Sequence, residues 1–293
     1  MPFDIVDDLE KLVGVAKWLV RSGWLKRAGS LLDLVKDLKN GDLSSVLRSY
    51  QTHFGIEGGG ELNEATIAHL SIPRFCGRPD RELVGTTNLR PMPEVRWFAA
   101  NPGDLQGLSP RDFLEALDEC WTYLPTVCGI TARNVATQAE CNALVQCGPI
   151  DGTMNTLAWS ELWNGSNRVL QQMYDTGDKW MRQSGPLNSS TPLDVLRVII
   201  HESCHLLGLP HDPEDMTALM APTYSLTVDR CTQRDIQRLQ AIYGPPKSVT
   251  KPTSGDGPAK PPIPTKAFNA QCIVEETAEG VTIRLPGVSI TNK

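Results

Sequence analysis

The stretch His201-Glu202-Ser203-Cys204-His205-Leu206-Leu207-Gly208-Leu209-Pro210-His211 holds three of the chain's five histidines within eleven residues. On a helix, residues four apart lie one above the other, so His201 and His205 can offer two imidazole nitrogens to one metal ion. Glu202 is turned about 100 degrees from His201, which lets it reach a metal-bound water as a general base without ligating the ion. Gly208 lets the chain leave the helix through a left-handed conformation that a side chain would resist, and the turn returns His211 as third ligand. Three neutral imidazoles around Zn²⁺ leave a fourth position for water. The alternative is a buried core helix whose histidines only satisfy hydrogen bonds.

Upstream, Thr191-Pro192-Leu193-Asp194 reads as a capped helix start, with helix over residues 191–207 and Leu193, Leu196, Val198, Ile199 and Ile200 as its buried faces. Cys204 lies within the helix and reads as core, not ligand. Further helices are expected at residues 109–124, capped by Ser109 with Pro110 in the first turn, and at residues 232–243, stopped by Gly244 before Pro245 and Pro246. Residues 95–98 read as a strand. Before residue 72 the pattern is helical, near residues 4–25, 31–38, 45–54 and 64–70, the last capped by Asn63 after the Gly58-Gly59-Gly60 turn. Residues 73–93 lack helical periodicity and read as an extended connection. Residues 245–265 are a Pro-rich linker, and the tail from 266 to 293 has room for two strands, near 272–275 and 281–285, too few for a stable domain alone.

The 293 residues suffice for two folded units, and 40% hydrophobic with 21% charged residues is an ordinary globular composition. Thirty-four acidic against 28 basic residues, a formal net charge of -6, without a long Lys/Arg block, argue against nucleic acid as a partner. No stretch has the roughly 18 apolar residues of a membrane-spanning helix. The first 25 residues start acidic and amphipathic, unlike a secretory signal. Eight cysteines without zinc-ribbon spacing favour an oxidising compartment with some disulfides, whose pairing the sequence leaves open.

HESCHLLGLPH resembles the signature of metzincin zinc proteases, and Leu219-Met220-Ala221-Pro222-Thr223-Tyr224 is similar to the methionine turn of the matrixin branch. The resemblance implies an α+β fold: an all-α three-helix prodomain, then a catalytic domain with a twisted mixed β-sheet and long helices. It implies Met220 beneath the zinc, a role compatible with core packing, and Pro222 and Tyr224 at the pocket for the substrate side chain just after the scissile bond. Pro73-Arg74-Phe75-Cys76-Gly77-Arg78-Pro79-Asp80 resembles the matrixin cysteine switch, in which the Cys76 thiolate would hold the zinc in a latent zymogen. Phe75 is an insertion relative to that pattern and puts the implied Arg74 to Asp80 ion pair in question; the alternative for Cys76 is a disulfide. Residues 45–70 resemble the peptidoglycan-binding-like module of matrixin propeptides, a fold that elsewhere binds cell walls, so peptidoglycan or another glycan is a possible partner.

Residues 150–159 are similar to the matrixin strand edge, with Leu157 and Ala158 offering backbone hydrogen bonds to a peptide. Trp159 stands where a ligand of a second, structural zinc would be expected, and no His occurs between His69 and His201, so no structural zinc is expected. Asp151, Asp175 and Asp178 resemble a calcium site, against the alternative of solvated loop carboxylates. Asp212 after the third His is similar to the reprolysin group, a second enzyme branch. The resulting expectation is a monomeric, extracellular, zinc-dependent endopeptidase acting on proteins or peptides, with prodomain 1–72, switch and linker 73–94, catalytic domain 95–244, linker 245–265 and tail 266–293.

Overall fold

A computed structural model of the chain describes residues 13–20, 22–25, 42–80, 91–103, 105–165, 168–183, 185–188, 192–212, 214–247, 273–277, 280–285 and 288–289. It divides into two units, residues 1–248 and 249–293.

The first unit begins with helices at residues 13–20 (α1), Asp42–Phe54 (α2) and Glu64–Leu70 (α3). The helix read near residues 31–38 lies outside the described residues. Asn63 caps α3 as expected, its side-chain oxygen accepting from the Thr66 N–H at 2.9 Å. Leu19, Leu43, Leu47 and Tyr50 make a small core of their own, edged by Trp18, Trp24 and Phe54. Gly60 turns the chain at φ 98, where an added Cβ would lie 2.5 Å from the Ser44 carbonyl oxygen.

The larger core is a six-stranded mixed sheet with helices packed on it. Its strands are β1 (Arg74–Cys76), β2 (Val95–Ala99), β3 (Ala132–Asn134), β4 (Ala143–Gly148), β5 (Thr156–Ser160) and β6 (Leu170–Asp175), in the order β1-β5-β6-β4-β2-β3. Only β5 and β6 pair antiparallel. The segment read as an extended connection therefore contributes β1 as an outer strand.

Helix α4 (Pro110–Val127) starts at the Ser109 cap and buries Phe113, Ala116, Leu117, Cys120, Trp121 and Leu124, a stripe at helical spacing. It packs against α5 (Val195–Leu206), every residue of which is buried. α5 begins later than its sequence suggested. Leu193–Asp194 forms a short strand (β8) parallel to Trp180–Met181 (β7), and the Asp194 carboxylate accepts from the Leu196 N–H, making Asp194 the cap. Pro192 biases the residue before it away from helix, and the strand pairing uses the next two residues. The last helix of this unit, α6 (Gln233–Tyr243), runs from the Thr232 cap to Gly244 as its sequence indicated.

The second unit is an antiparallel sheet of β9 (Ile273–Thr277), β10 (Gly280–Leu285) and β11 (Val288–Ser289), with β10 central. The third strand was not expected; only two residues long, it carries too little pattern to read from sequence.

Candidate metal centre

The centre is built on α5, which places His201 and His205 one turn apart on one face. Gly208, at φ 99, ends the helix in the left-handed region, and the turn brings His211 back over that face. Each ring is oriented by a backbone carbonyl at Nδ1: Leu219 O for His201 at 2.8 Å, Leu209 O for His205 at 2.6 Å and Pro79 O for His211 at 3.0 Å. A carbonyl can only accept, so each Nδ1 carries the proton and each Nε2 presents a lone pair. The Nε2 atoms of His201 and His211 stand 3.3 Å apart. Burial pushes the His201 imidazole down to about 3. Burial, then the neighbouring histidines, hold His205 and His211 well below the ordinary value. All three are therefore in the neutral form that binds metal.

Cys76 completes the group. Its Sγ lies 3.2 Å from Nε2 of both His205 and His211, and the four donor atoms all fall within 4.8 Å of one another. Lone pairs converging in a buried site repel unless a cation lies between them. A tetrahedron with metal–ligand distances of about 2.0–2.3 Å has edges of roughly 3.3–3.7 Å, close to these separations. The donor set thus fits Zn²⁺. Burial, and then Glu202, push the Cys76 thiol up, a cost that a metal relieves by favouring the thiolate.

The Phe75 insertion does not break the Arg74 to Asp80 ion pair. The two side chains meet, both buried, and Arg74 also donates to the Arg78 carbonyl at 2.9 Å. Asp80 accepts in addition from the Trp24 indole N–H at 2.6 Å, and its backbone N–H donates to the Ser22 carbonyl, tying residues 74–80 to the helical region. The extra residue is accommodated because the Phe75 side chain turns inward and stacks on the His201 ring, with centroids 4.4 Å apart and planes at 13°.

Glu202 is fully buried, and neither carboxylate oxygen has a well-formed hydrogen bond, although Cys76 lies beside it. Burial raises its pKa well above the ordinary carboxylate range. Its carboxyl is buried beside the Cys76 thiol and the imidazole donors.

Met220 is fully buried in the core, on the segment whose Leu219 carbonyl orients His201. Leu157 and Ala158 lie on β5. There β1 pairs with the edge of β5: Cys76 pairs with Ala158, and the N–H groups of Arg74 and Gly77 donate to the carbonyls of Asn155 and Ala158. On its other side the Phe75 N–H donates to Pro222 O, and the Tyr224 N–H to Pro73 O. Residues 73–77 are clamped between a sheet edge and a Pro222–Tyr224 wall.

Residues 141–244 match the family model of the matrixins, the M10 peptidases. The chain carries a matrixin-like metalloendopeptidase domain. It is 24% identical to Metalloendoproteinase 2-MMP of Arabidopsis thaliana, over 95% of this chain and 82% of that one. Similarity to the interstitial collagenase of Oryctolagus cuniculus is 28% over 78% of this chain and 48% of that protein. For Matrix metalloproteinase-16 of Homo sapiens it is 25%, over 87% and 44%. The chain thus spans less than half the length of these two animal relatives.

One residue that holds the matrixin-like centre together was not singled out from sequence. Asp235, fully buried on α6, accepts from the backbone N–H groups of Leu219 and Met220 at 2.9 and 3.3 Å while capping its own helix through Thr232. The Thr232-x-x-Asp235 capping box was its legible signal. Asp212, whose place after the third His is similar to the reprolysin pattern, is ion-paired with Arg234 and lies 3.5 Å from Arg238; its backbone N–H donates to Met220 O. It anchors the turn.

The three aspartates considered for calcium are mostly employed as acceptors. Asp175 receives N–H groups of Ile150, Asp151 and Gly177, and Asp151 receives that of Thr156. Asp178 receives the Met154 N–H at 2.6 Å on one oxygen, while its other oxygen is buried without a partner. Burial, with Asp175 and Asp151 nearby, raises the Asp178 carboxyl to about 6. Among the described residues only Cys76, His201, His205 and His211 form a cluster suited to a metal. The expected disulfides are not found among the seven described cysteines; the sulfurs of Cys204 and Cys231 lie 3.7 Å apart. Cys204 is core, as its position suggested.

Proposed function

We propose that this protein is the latent form of a zinc endopeptidase, locked by its own Cys76. The observation that carries this reading is the Cys76 thiol sharing one centre with three inward-facing imidazole Nε2 atoms. His201, His205 and His211 would hold the zinc in both forms, and withdrawal of Cys76 would open the fourth position. Zinc, when bound, supplies Lewis acidity at the scissile carbonyl and to the attacking water. Glu202 accepts a proton from that water and delivers it to the leaving amine. Leu157 and Ala158 offer the backbone groups that would hold the substrate strand, and Pro222 and Tyr224 form the facing wall. Met220 supports the floor of the centre.

The helical region acts as an inhibitory prodomain in this reading, supported by the Trp24 and Ser22 bonds to Asp80. A glycan-anchoring role would instead require the full chain to pellet with peptidoglycan. The matrixin match and the structural employment of Asp212 favour this branch over a reprolysin-like one. An extracellular site of action, as a monomer, completes the proposal; no helix among the described residues is long and apolar enough to cross a membrane. A calcium-binding role for the Asp151, Asp175 and Asp178 loops would rest on the unpartnered Asp178 oxygen alone, since these carboxylates otherwise accept from backbone N–H groups and do not converge as the metal cluster does.

The test is zinc content together with hydrolysis of an unfolded protein, before and after Cys76 is modified with a mercurial. One bound zinc and activity that appears only after modification are expected. Glu202→Ala should keep the zinc and lose proteolysis; retained turnover would sink the assignment.

A further inference from the structure

We propose that Phe75 fills the pocket for the substrate side chain just after the scissile bond, and that this pocket is shaped for an aromatic ring. The inference rests on the endopeptidase reading of the same site. Phe75 adjoins Cys76, whose Sγ shares the centre with the imidazoles, and its ring lies against Tyr224, which in the proposed reading lines the pocket for the residue just after the scissile bond. Its ring is fully buried. One face stacks on His201, and Tyr224 stands on another side with centroids 5.2 Å apart and planes at 53°.

Each wall side chain also has an anchor outside residues 73–77. His201 is fixed through Leu219 O, and the Tyr224 hydroxyl accepts from the Asp194 N–H at 2.9 Å. A space bounded by rigid groups keeps its shape when its occupant leaves. The near-parallel stack on the His201 imidazole gives the pocket one flat wall, and the tilted Tyr224 ring a second aromatic face, a surrounding that a planar side chain meets better than a branched aliphatic one. The insertion therefore gives the switch a second anchor: Cys76 blocks the metal, and Phe75 blocks the pocket. The mature enzyme should cleave extended peptides before Phe or Tyr.

Two measurements on the zinc-loaded full chain test this. The first is the rate at which an aromatic disulfide reagent modifies Cys76, a kinetic phase identified by its loss in Cys76→Ser. Phe75→Ala should accelerate that phase roughly 10-fold or more, while Phe75→Tyr stays near the parent rate. Unfolding midpoints show that the variants are folded, and Phe75→Leu, with an intermediate acceleration, serves if the alanine variant is not. The second is a panel of quenched fluorescent peptides, identical except for Phe, Tyr, Leu, Ala or Lys after the cleaved bond, given to the mercurial-activated parent. The aromatic peptides should exceed Ala about 100-fold and Leu about 10-fold in kcat/KM. Equal cleavage of the Leu or Ala peptide, or an unchanged Cys76 rate in both the alanine and leucine variants, overturns the proposal. If no peptide is cut, the endopeptidase reading fails and the pocket assignment with it, whereas cleavage without an aromatic preference overturns the pocket assignment alone.

Discussion

Replacing Asp235 by alanine should damage the metal centre from below, although Asp235 touches none of the ligands. Its carboxylate accepts four hydrogen bonds: from Leu219 N, Met220 N, Thr232 N and Thr232 Oγ1. The two turn amides are buried and cannot recover their bonds from water. At about 1–3 kcal/mol for each buried donor left unpaired, these two set the loss near 4 kcal/mol, with Thr232 adding less because water can reach it. That is a large part of the roughly 5–15 kcal/mol that holds a domain together. Asp235→Asn keeps one acceptor oxygen and should lose about half as much. The turn also orients His201 through Leu219 O, so zinc affinity should fall about 10–100-fold, as for other groups that orient ligands. Urea unfolding of the metal-free protein gives the first quantity, and competition with a chromophoric chelator gives the second. A loss under about 1 kcal/mol together with unchanged zinc affinity would refute the reasoning.

Arg74→Ala leaves the Asp80 carboxylate buried without its cation, a loss of about 3–5 kcal/mol when one partner of a buried pair is removed. Faster Cys76 modification and activity without mercurial are expected; an unaltered latent chain would contradict the clamp. The metal-free protein should lose stability as pH falls from about 6.5 toward 3, because His201, held neutral in the fold, gains a proton more readily when unfolded. Saturating zinc should flatten this dependence near neutrality, as thermal melts at several pH values would reveal. Asp178 acts in the opposite direction. Its raised carboxyl contributes stability that is present below its unfolded value of 3.8 and lost as pH rises through about 6. Asp178→Asn should therefore raise the melting temperature at pH 7 without calcium and abolish any calcium-induced rise; a calcium response surviving the substitution would remove Asp178 from the site.

The metal centre was legible because its chemistry is local. His201, His205, Gly208 and His211 are placed by one helix and one turn, and that geometry follows from spacing alone. Cys76 lies 125 residues away from His201 in sequence, and only its resemblance to a known switch linked it to the same ion. What could not be read depends on pairing between distant segments. Residues 74–76 carry no strand pattern, yet they become β1 because the edge of β5 and the Pro222–Tyr224 wall supply partners for their backbone. Leu193 and Asp194 look like the first turn of a helix until β7 takes them as a strand. The position of Phe75 followed from no periodicity, since a single inserted residue is aimed by the slot that receives it.

In the proposed latent form, withdrawal of Cys76 would change the sheet as well as the metal centre. With β1 gone, β5 becomes an outermost strand, and N–H and C=O groups that now meet residues 74–77 face solvent in a row. That row does not distinguish a substrate from a released switch peptide or from a neighbouring molecule's loose end. The severed segment should linger as a competitive inhibitor, so that onset of activity lags behind cleavage of the chain and the lag shortens on dilution. A concentrated stock of activated protein should consume itself or associate through its bare edge, whereas the intact chain keeps. The proposed latency would then also be a form of storage.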